Sequence, residues 1–226
     1  MSAIRVYFHW TRHNPEHTGA SLAVCAASTF LLAFAAGPAS ADEPEAESVA
    51  YAHQLAVGVC GTCHGPHGNS SQPKFPRLAG QQAGYLVTQL KAFRAQTRGD
   101  PDALGYMWGM AGQLDDATIN ALASYYASQK PGVATRQDPT LVTKGREVYL
   151  HGIDSKGVPA CAACHGPDAH GTTDFPRLAG QHAQYVLKQL GSFQSNMRNV
   201  AVMHGVALNL RIADMEAVAA YLESQP

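Results

Sequence analysis

Charge is scarce in this sequence: 15% of its 226 residues are Asp, Glu, Lys or Arg, and the formal net charge is −1. That balance offers neither the basic face that nucleic acid needs nor the cationic face that an anionic surface attracts. Cysteine is rarer still. Of five cysteines, four fall in two short motifs and only Cys25 is left over, so no disulfide framework is expected. Sustained alternation of apolar and polar residues is also missing, which argues against strands and leaves an all-α chain.

What is present is one pentapeptide, twice: Cys60-Gly61-Thr62-Cys63-His64 and Cys161-Ala162-Ala163-Cys164-His165. On a helical turn, cysteines three apart project from one face, so both thiols can reach the two vinyl groups of one haem. The histidine that follows is placed to bind the iron from one side. A zinc ribbon would set its cysteine pairs roughly 15 to 20 residues apart, far closer than Cys63 and Cys161. A thioredoxin-like thiol pair needs a βαβ setting, and both motifs lie in helical surroundings. Two covalently bound haem c groups, on Cys60, Cys63, Cys161 and Cys164, are the expected cofactors, with His64 and His165 as iron ligands.

The N-terminus reads as an export signal. Arg5 and Arg12 precede an apolar run from Ala20 to Ala36, and Ala39-Ser40-Ala41 offers a small-x-small cleavage site before Asp42. Residues 1–41 would be removed, Cys25 with them, and the protein would work in the periplasm. An uncleaved anchor is the rival reading, since the run is only slightly short for a membrane helix.

Downstream, residues 42–48 form an acidic leader expected to fray. Val49 to Val59 reads as a short helix entering the first motif. A loop, then Phe75-Pro76-Arg77-Leu78-Ala79-Gly80-Gln81, then a helix with Leu86, Leu90 and Phe93 on one face follow. A glycine-rich loop carries Met107, Trp108 and Met110, and a closing helix capped by Asp115 ends the unit. The order then repeats. Phe175-Pro176-Arg177-Leu178-Ala179-Gly180-Gln181 matches its counterpart letter for letter, and Tyr185, Gln189, Leu190 and Phe193 repeat Tyr85, Gln89, Leu90 and Phe93. Such self-similarity marks a duplicated unit. The expected division is a first domain at 49–129, a linker at 130–139 and a second domain at 140–226, each domain a small helical fold around its own haem. A unit of about 90 residues is near the lower size limit for an independent core, and a buried haem would supply much of the missing apolar contact.

The sixth ligand decides the chemistry. Methionine opposite histidine closes the iron and favours its reduced state, which suits electron transfer, whereas an open position admits substrates. Met107 and Met203 fall at equivalent places in the two repeats and are the candidates. Met110 competes in the first unit, but its counterpart is Val206. His67 and His170 follow the motifs too closely to cross to the far face, and His182 and His204 are not duplicated.

C-x-x-C-H, then F-P-R-L-A-G-Q, then Y-x-x-x-Q-L-x-x-F, a loop methionine and a closing helix ending in tyrosine, all twice, resemble the dihaem cytochrome c4 family, tandem class I cytochrome c domains. The resemblance implies that the Pro76 and Pro176 carbonyls accept hydrogen bonds from the ligating histidines, that Leu78 and Leu178 pack on the haems, and that the halves face each other across a pseudo-twofold axis. It also implies a monomeric periplasmic carrier with no small-molecule substrate and no nucleic-acid partner. Such a carrier docks transiently on membrane-bound respiratory complexes as donor and on a terminal oxidase as acceptor. This chain departs from the pattern in that Val49 to Val59 lacks an equivalent of Gly145, which the second leading helix carries, and in placing Arg211 where a serine-type cap is usual. Two alternatives carry different partners: the cytochrome subunit of a dehydrogenase, such as a sulfide-oxidising flavocytochrome, and a dihaem enzyme with a labile sixth ligand.

Overall fold

The computed structural model describes residues 43–173 and 175–226, so the expected signal segment, with Cys25, lies outside the described residues. Among those described there is no strand, only an isolated antiparallel bridge between Ile153 and Val158. No helix among them is long and apolar enough to cross a membrane.

The first half opens with α1, Glu43–Gln54. The acidic leader is therefore helical over most of its length rather than frayed. Glu45 and Glu47 place negative charge near the positive end of the helix dipole. The chain then passes through a π-helical stretch, Leu55–Cys60, straight into α2, Gly61–His64. The F-P-R-L-A-G-Q segment leads to α3, Ala83–Arg94, and a second π-helical stretch, Ala103–Met107, runs into α4, Trp108–Ala111. The closing helix α5, Asp116–Ala127, starts where Asp115 accepts from Thr118 N at 2.7 Å. Its stripe of Ile119, Leu122, Ala123 and Tyr126 is buried, and Leu122, Ala123 and Tyr126 pack in one cluster with Ala52 and Ala56 of the leading segment.

Residues 130–138 form a connection without regular secondary structure that is tied to both halves. Asn69 Nδ2 donates to Lys130 O at 3.1 Å, and Thr135 N donates to Glu223 O at 3.1 Å. Pro139, expected in the linker, is instead the first residue of α6, Pro139–His151, capped by Asp138. After Gly152 a bridged loop precedes α7, Ala162–His165. The second half continues with α8, Ala183–Gln194, α9, Ala201–Ala207, and α10, Ile212–Glu223.

Gly145 explains how α6 meets α10: a Cβ there would lie 1.9 Å from Ala217 O, so only glycine lets the two backbones approach this closely. The core around this crossing is built from Val148, Tyr149, Met215, Val218 and Leu222. Arg211, lacking a side-chain acceptor, caps α10 in reverse. Its main-chain N–H donates to Asp214 at 3.3 Å, and its guanidinium reaches the same carboxylate at 3.0 and 3.2 Å.

Candidate functional site

Each Cys-x-x-Cys-His run forms a single helical turn. It ends at a glycine with positive φ, Gly65 at 76° and Gly166 at 78°, which turns the chain back across the histidine. A side chain at Gly65 would lie 2.4 Å from Asn69 O. The loops that follow are pinned to the proline segment: Leu78 N donates to Gly68 O and Leu178 N to Ala169 O, both at 2.8 Å. The same segment is stitched to the closing helix by Gly80 N to Tyr126 O at 2.9 Å and Gly180 N to Leu222 O at 2.8 Å. These main-chain contacts explain why the segment repeats without change.

The result is a matched pair of buried imidazoles. His64 Nδ1 lies 2.9 Å from Pro76 O, and His165 Nδ1 lies 3.0 Å from Pro176 O. A carbonyl only accepts, so in each case Nδ1 carries the hydrogen and Nε2 is left with its lone pair. Burial pushes both imidazole pKa values down, outweighing the opposing pull of the proline carbonyl, so both rings stay neutral and able to bind a metal. Phe75 and Phe175 stand edge-on to the rings, with centroids 6.3 and 5.9 Å away. Leu78 and Leu178 are half-buried against the cores of their halves.

The four thiols are half-buried and unpaired with one another. Burial raises the Cys60 thiol, and it pushes Cys161 up to about 11, so both are protonated thiols at neutral pH. Among the described residues no three His, Cys, Asp or Glu side chains converge on a point. Two thiols and one neutral imidazole, following directly on one helical turn, instead fit a haem held by thioether bonds, and they do so in both halves.

The methionines are placed differently from expectation. Met107 ends the π-helical stretch and packs against the buried cluster of Phe93, Ala103 and Ala111, while Met203 is the third residue of α9; neither sits on an open loop. Gly105, Gly109 and Gly205 give these segments the composition of loops, but Ala103, Ala111 and Ala207 are almost wholly buried and hold the turns helical. Both methionines are half-buried, whereas Met110 is 58% exposed. Met215 is core, as expected for a residue on a helix stripe. His67 and His170 are exposed, bonding to Tyr125 Oη and Pro226 O.

Sequence reasoning missed the polar joint between the halves. Gln181 takes the main chain of Arg77 with both ends of its amide, accepting from N and donating to O at 2.9 Å each. Gln81 does the same to Arg177, at 2.8 and 3.0 Å. Deeper in, Arg98 and Arg198 share two glutamine oxygens. Arg98 reaches Gln89 at 2.7 Å and Gln189 at 2.9 Å, and Arg198 reaches Gln189 at 2.7 Å and Gln89 at 2.9 Å. Asp100 pairs with Arg98 Nε at 2.7 Å, while Arg198 Nε is buried with no acceptor and its guanidinium lies over Phe193. The signal was available: Arg98 and Arg198 extend the repeat of Tyr85/Tyr185 and Gln89/Gln189.

The sequence pattern of the family described as cytochrome c matches residues 49–130 and 142–226. Cytochrome c4 of Azotobacter vinelandii is 40% identical over 203 residues, covering 85% of this chain and 91% of that protein. The thiosulfate dehydrogenase electron acceptor of Thiomonas intermedia (strain K12) is 37% identical, covering 90% of this chain and 91% of its own length. The solved cytochrome c4 of Acidithiobacillus ferrooxidans superposes with a TM-score of 0.70 at 40% identity, covering 73% of this chain and 97% of that one.

Proposed function

We propose, from the premise that this chain belongs to the cytochrome c family and is a dihaem electron-transfer cytochrome of the c4 type, that it ferries single electrons through the periplasm from a membrane-bound respiratory complex towards a terminal oxidase. Each haem c, when bound, supplies an iron that alternates between ferrous and ferric states. The chain's own residues determine that nothing else happens there. Cys60 and Cys63, and Cys161 and Cys164, hold the groups covalently. His64 and His165 would bind the metal through Nε2, their orientation set by the Pro76 and Pro176 carbonyls. Met107 and Met203 would supply a thioether to each iron, and Leu78 and Leu178 would line the haem pockets.

The observation that carries this reading is the pair of buried, neutral histidines, each locked by the same carbonyl contact in a duplicated unit. Closure by methionine is what separates a carrier from a dihaem enzyme. Carbon monoxide added to the reduced protein should bind neither haem, while Met107→Ala and Met203→Ala should each open one. Ready binding to the unaltered protein would rule out methionine at both irons. The exported protein would begin after Ala41, with a first haem domain at 49–129 and a second from Pro139, the start of α6, to 226.

A second reading is favoured by the relative named as a thiosulfate dehydrogenase electron acceptor: the electrons come from a sulfur-oxidising dehydrogenase rather than a respiratory complex. Reduction of the purified oxidised protein by such a dehydrogenase, followed optically at the haem bands, distinguishes the two donors.

A further inference from the structure

Residues 82 and 182 hold equivalent places, capping α3 and α8, yet one is glutamine and the other histidine. Both reach across the joint to a main-chain carbonyl. Gln82 Nε2 donates to His170 O at 2.7 Å, and His182 Nε2 lies 2.8 Å from Ser70 O. The second imidazole nitrogen, Nδ1, lies 3.1 Å from Glu223 Oε1. A carbonyl and a carboxylate both accept, and a neutral imidazole has one donor to give. The two contacts therefore coexist only when the His182 and Glu223 pair holds one proton more than neutral ring plus carboxylate.

The surroundings leave water little chance to replace either contact, because His182 is 2% exposed and Glu223 8%. Glu223 Oε2 is fixed by Gln137 Nε2 and by Ala183 N, each at 3.0 Å. Ser70 O also accepts from Arg77 Nε at 3.3 Å. Apart from Arg77 and Glu223, no charged side chain among the described residues hydrogen-bonds or ion-pairs with His182 or with the carbonyl it holds. Ser70 Oγ in turn donates to Cys63 O at 3.2 Å, so the chain of contacts ends on the first attachment motif.

We propose that His182 is a protonation-dependent positioning residue. As an imidazolium it ties Glu223 of the second half to the Ser70 loop beside the first haem site, and on losing its proton it releases one of the two. This goes beyond the carrier reading and does not depend on which residues bind the irons. The sign follows from the donor count: the complete tie needs the extra proton, so acid favours it and rising pH removes it.

The test uses the haem-loaded chain in its reduced state, as unaltered protein and as His182→Gln, which copies the first half's side chain. NMR gives the protonation of the His182 nitrogens and the hydrogen-exchange protection of the Gln72 and Ala183 amides from about pH 5 to about pH 9. In the unaltered protein both ring nitrogens should carry hydrogen at the acid end, and protection should fall about tenfold on the alkaline side. His182→Gln should hold the Ser70 contact with protection independent of pH. A single protonated ring nitrogen at the acid end overturns the proposal, whether or not the variant folds. So does a variant that keeps the original pH profile.

Discussion

In the first half the leading helix runs unbroken through a π-helical stretch into Cys60; in the second it stops at Gly152, and a bridged loop intervenes before Cys161. The tyrosines differ in the same way. Tyr126, on the closing helix α5, sends its hydroxyl to Ala56 O at 3.3 Å and touches the Cys60 thiol. At the corresponding place α10 carries Leu222, and the phenol comes from the leading helix instead: Tyr149 donates to Gly166 O at 2.7 Å and lies beside Cys161. What both halves keep is the stitching of the proline segment to the motif loop and to the closing helix. The attachment turn is thus positioned from downstream, and the route by which the chain enters it is free to vary.

Removing the attachment chemistry should produce the largest effect. Cys161→Ala with Cys164→Ala, or Cys60→Ala with Cys63→Ala, should each halve the haem per chain, counted by its pyridine complex. The first-half variant should lose more helix by circular dichroism, because α5 and its neighbours bury a smaller core than α10 does. Equal losses would erase that distinction.

Gly145→Ala comes next. Its Cβ would collide with Ala217 O, and an overpacked crossing that cannot relax costs about 3 kcal/mol. The first half tolerates alanine at Ala52 in its leading helix, where Ala52→Gly should cost only about 1 kcal/mol. Urea denaturation of the haem-loaded variants compares the two.

Asp214 marks a pH contrast. The Arg211 hydrogen bonds, with Lys156 at 2.5 Å, hold this buried carboxyl well below the usual carboxylate range against the cost of burial. A depressed native pKa means stability that is present above the unfolded value of about 4 and lost as pH falls below it. Asp214→Asn should cost about 2 kcal/mol at neutral pH and flatten the acid limb of the second half's melting curve. The exposed cap Asp115 of the first half should matter less.

The smallest effects belong to the tyrosines. Tyr149→Phe should cost about 1 kcal/mol, and Tyr126→Phe less, in line with its longer hydrogen bond. Thermal melts in the reduced state resolve the difference.

The motifs, the duplication and the all-α class were legible in the sequence because each depends on local spacing. The Pro76 and Pro176 contacts followed from the family resemblance, since the partners are 12 and 11 residues apart and no periodicity links them. The helical setting of Met107 and Met203 was not legible. Glycines at 105, 109 and 205 disfavour helix by up to about 1 kcal/mol each, and only the packing of Ala103, Ala111 and Ala207 reverses that preference. Arg98 and Arg198 were missed for a related reason. An arginine reads as a solvated side chain until its partners are known, and here they come from the opposite half.

Gln81 and Gln181 grip only peptide groups. Any side chain but proline's at positions 77 and 177 leaves the same amide and carbonyl on the main chain, so substitution there leaves the grip intact. Two copies of an ancestral unit could therefore diverge in entry helix, tyrosine placement and proton chemistry while remaining docked in a single register.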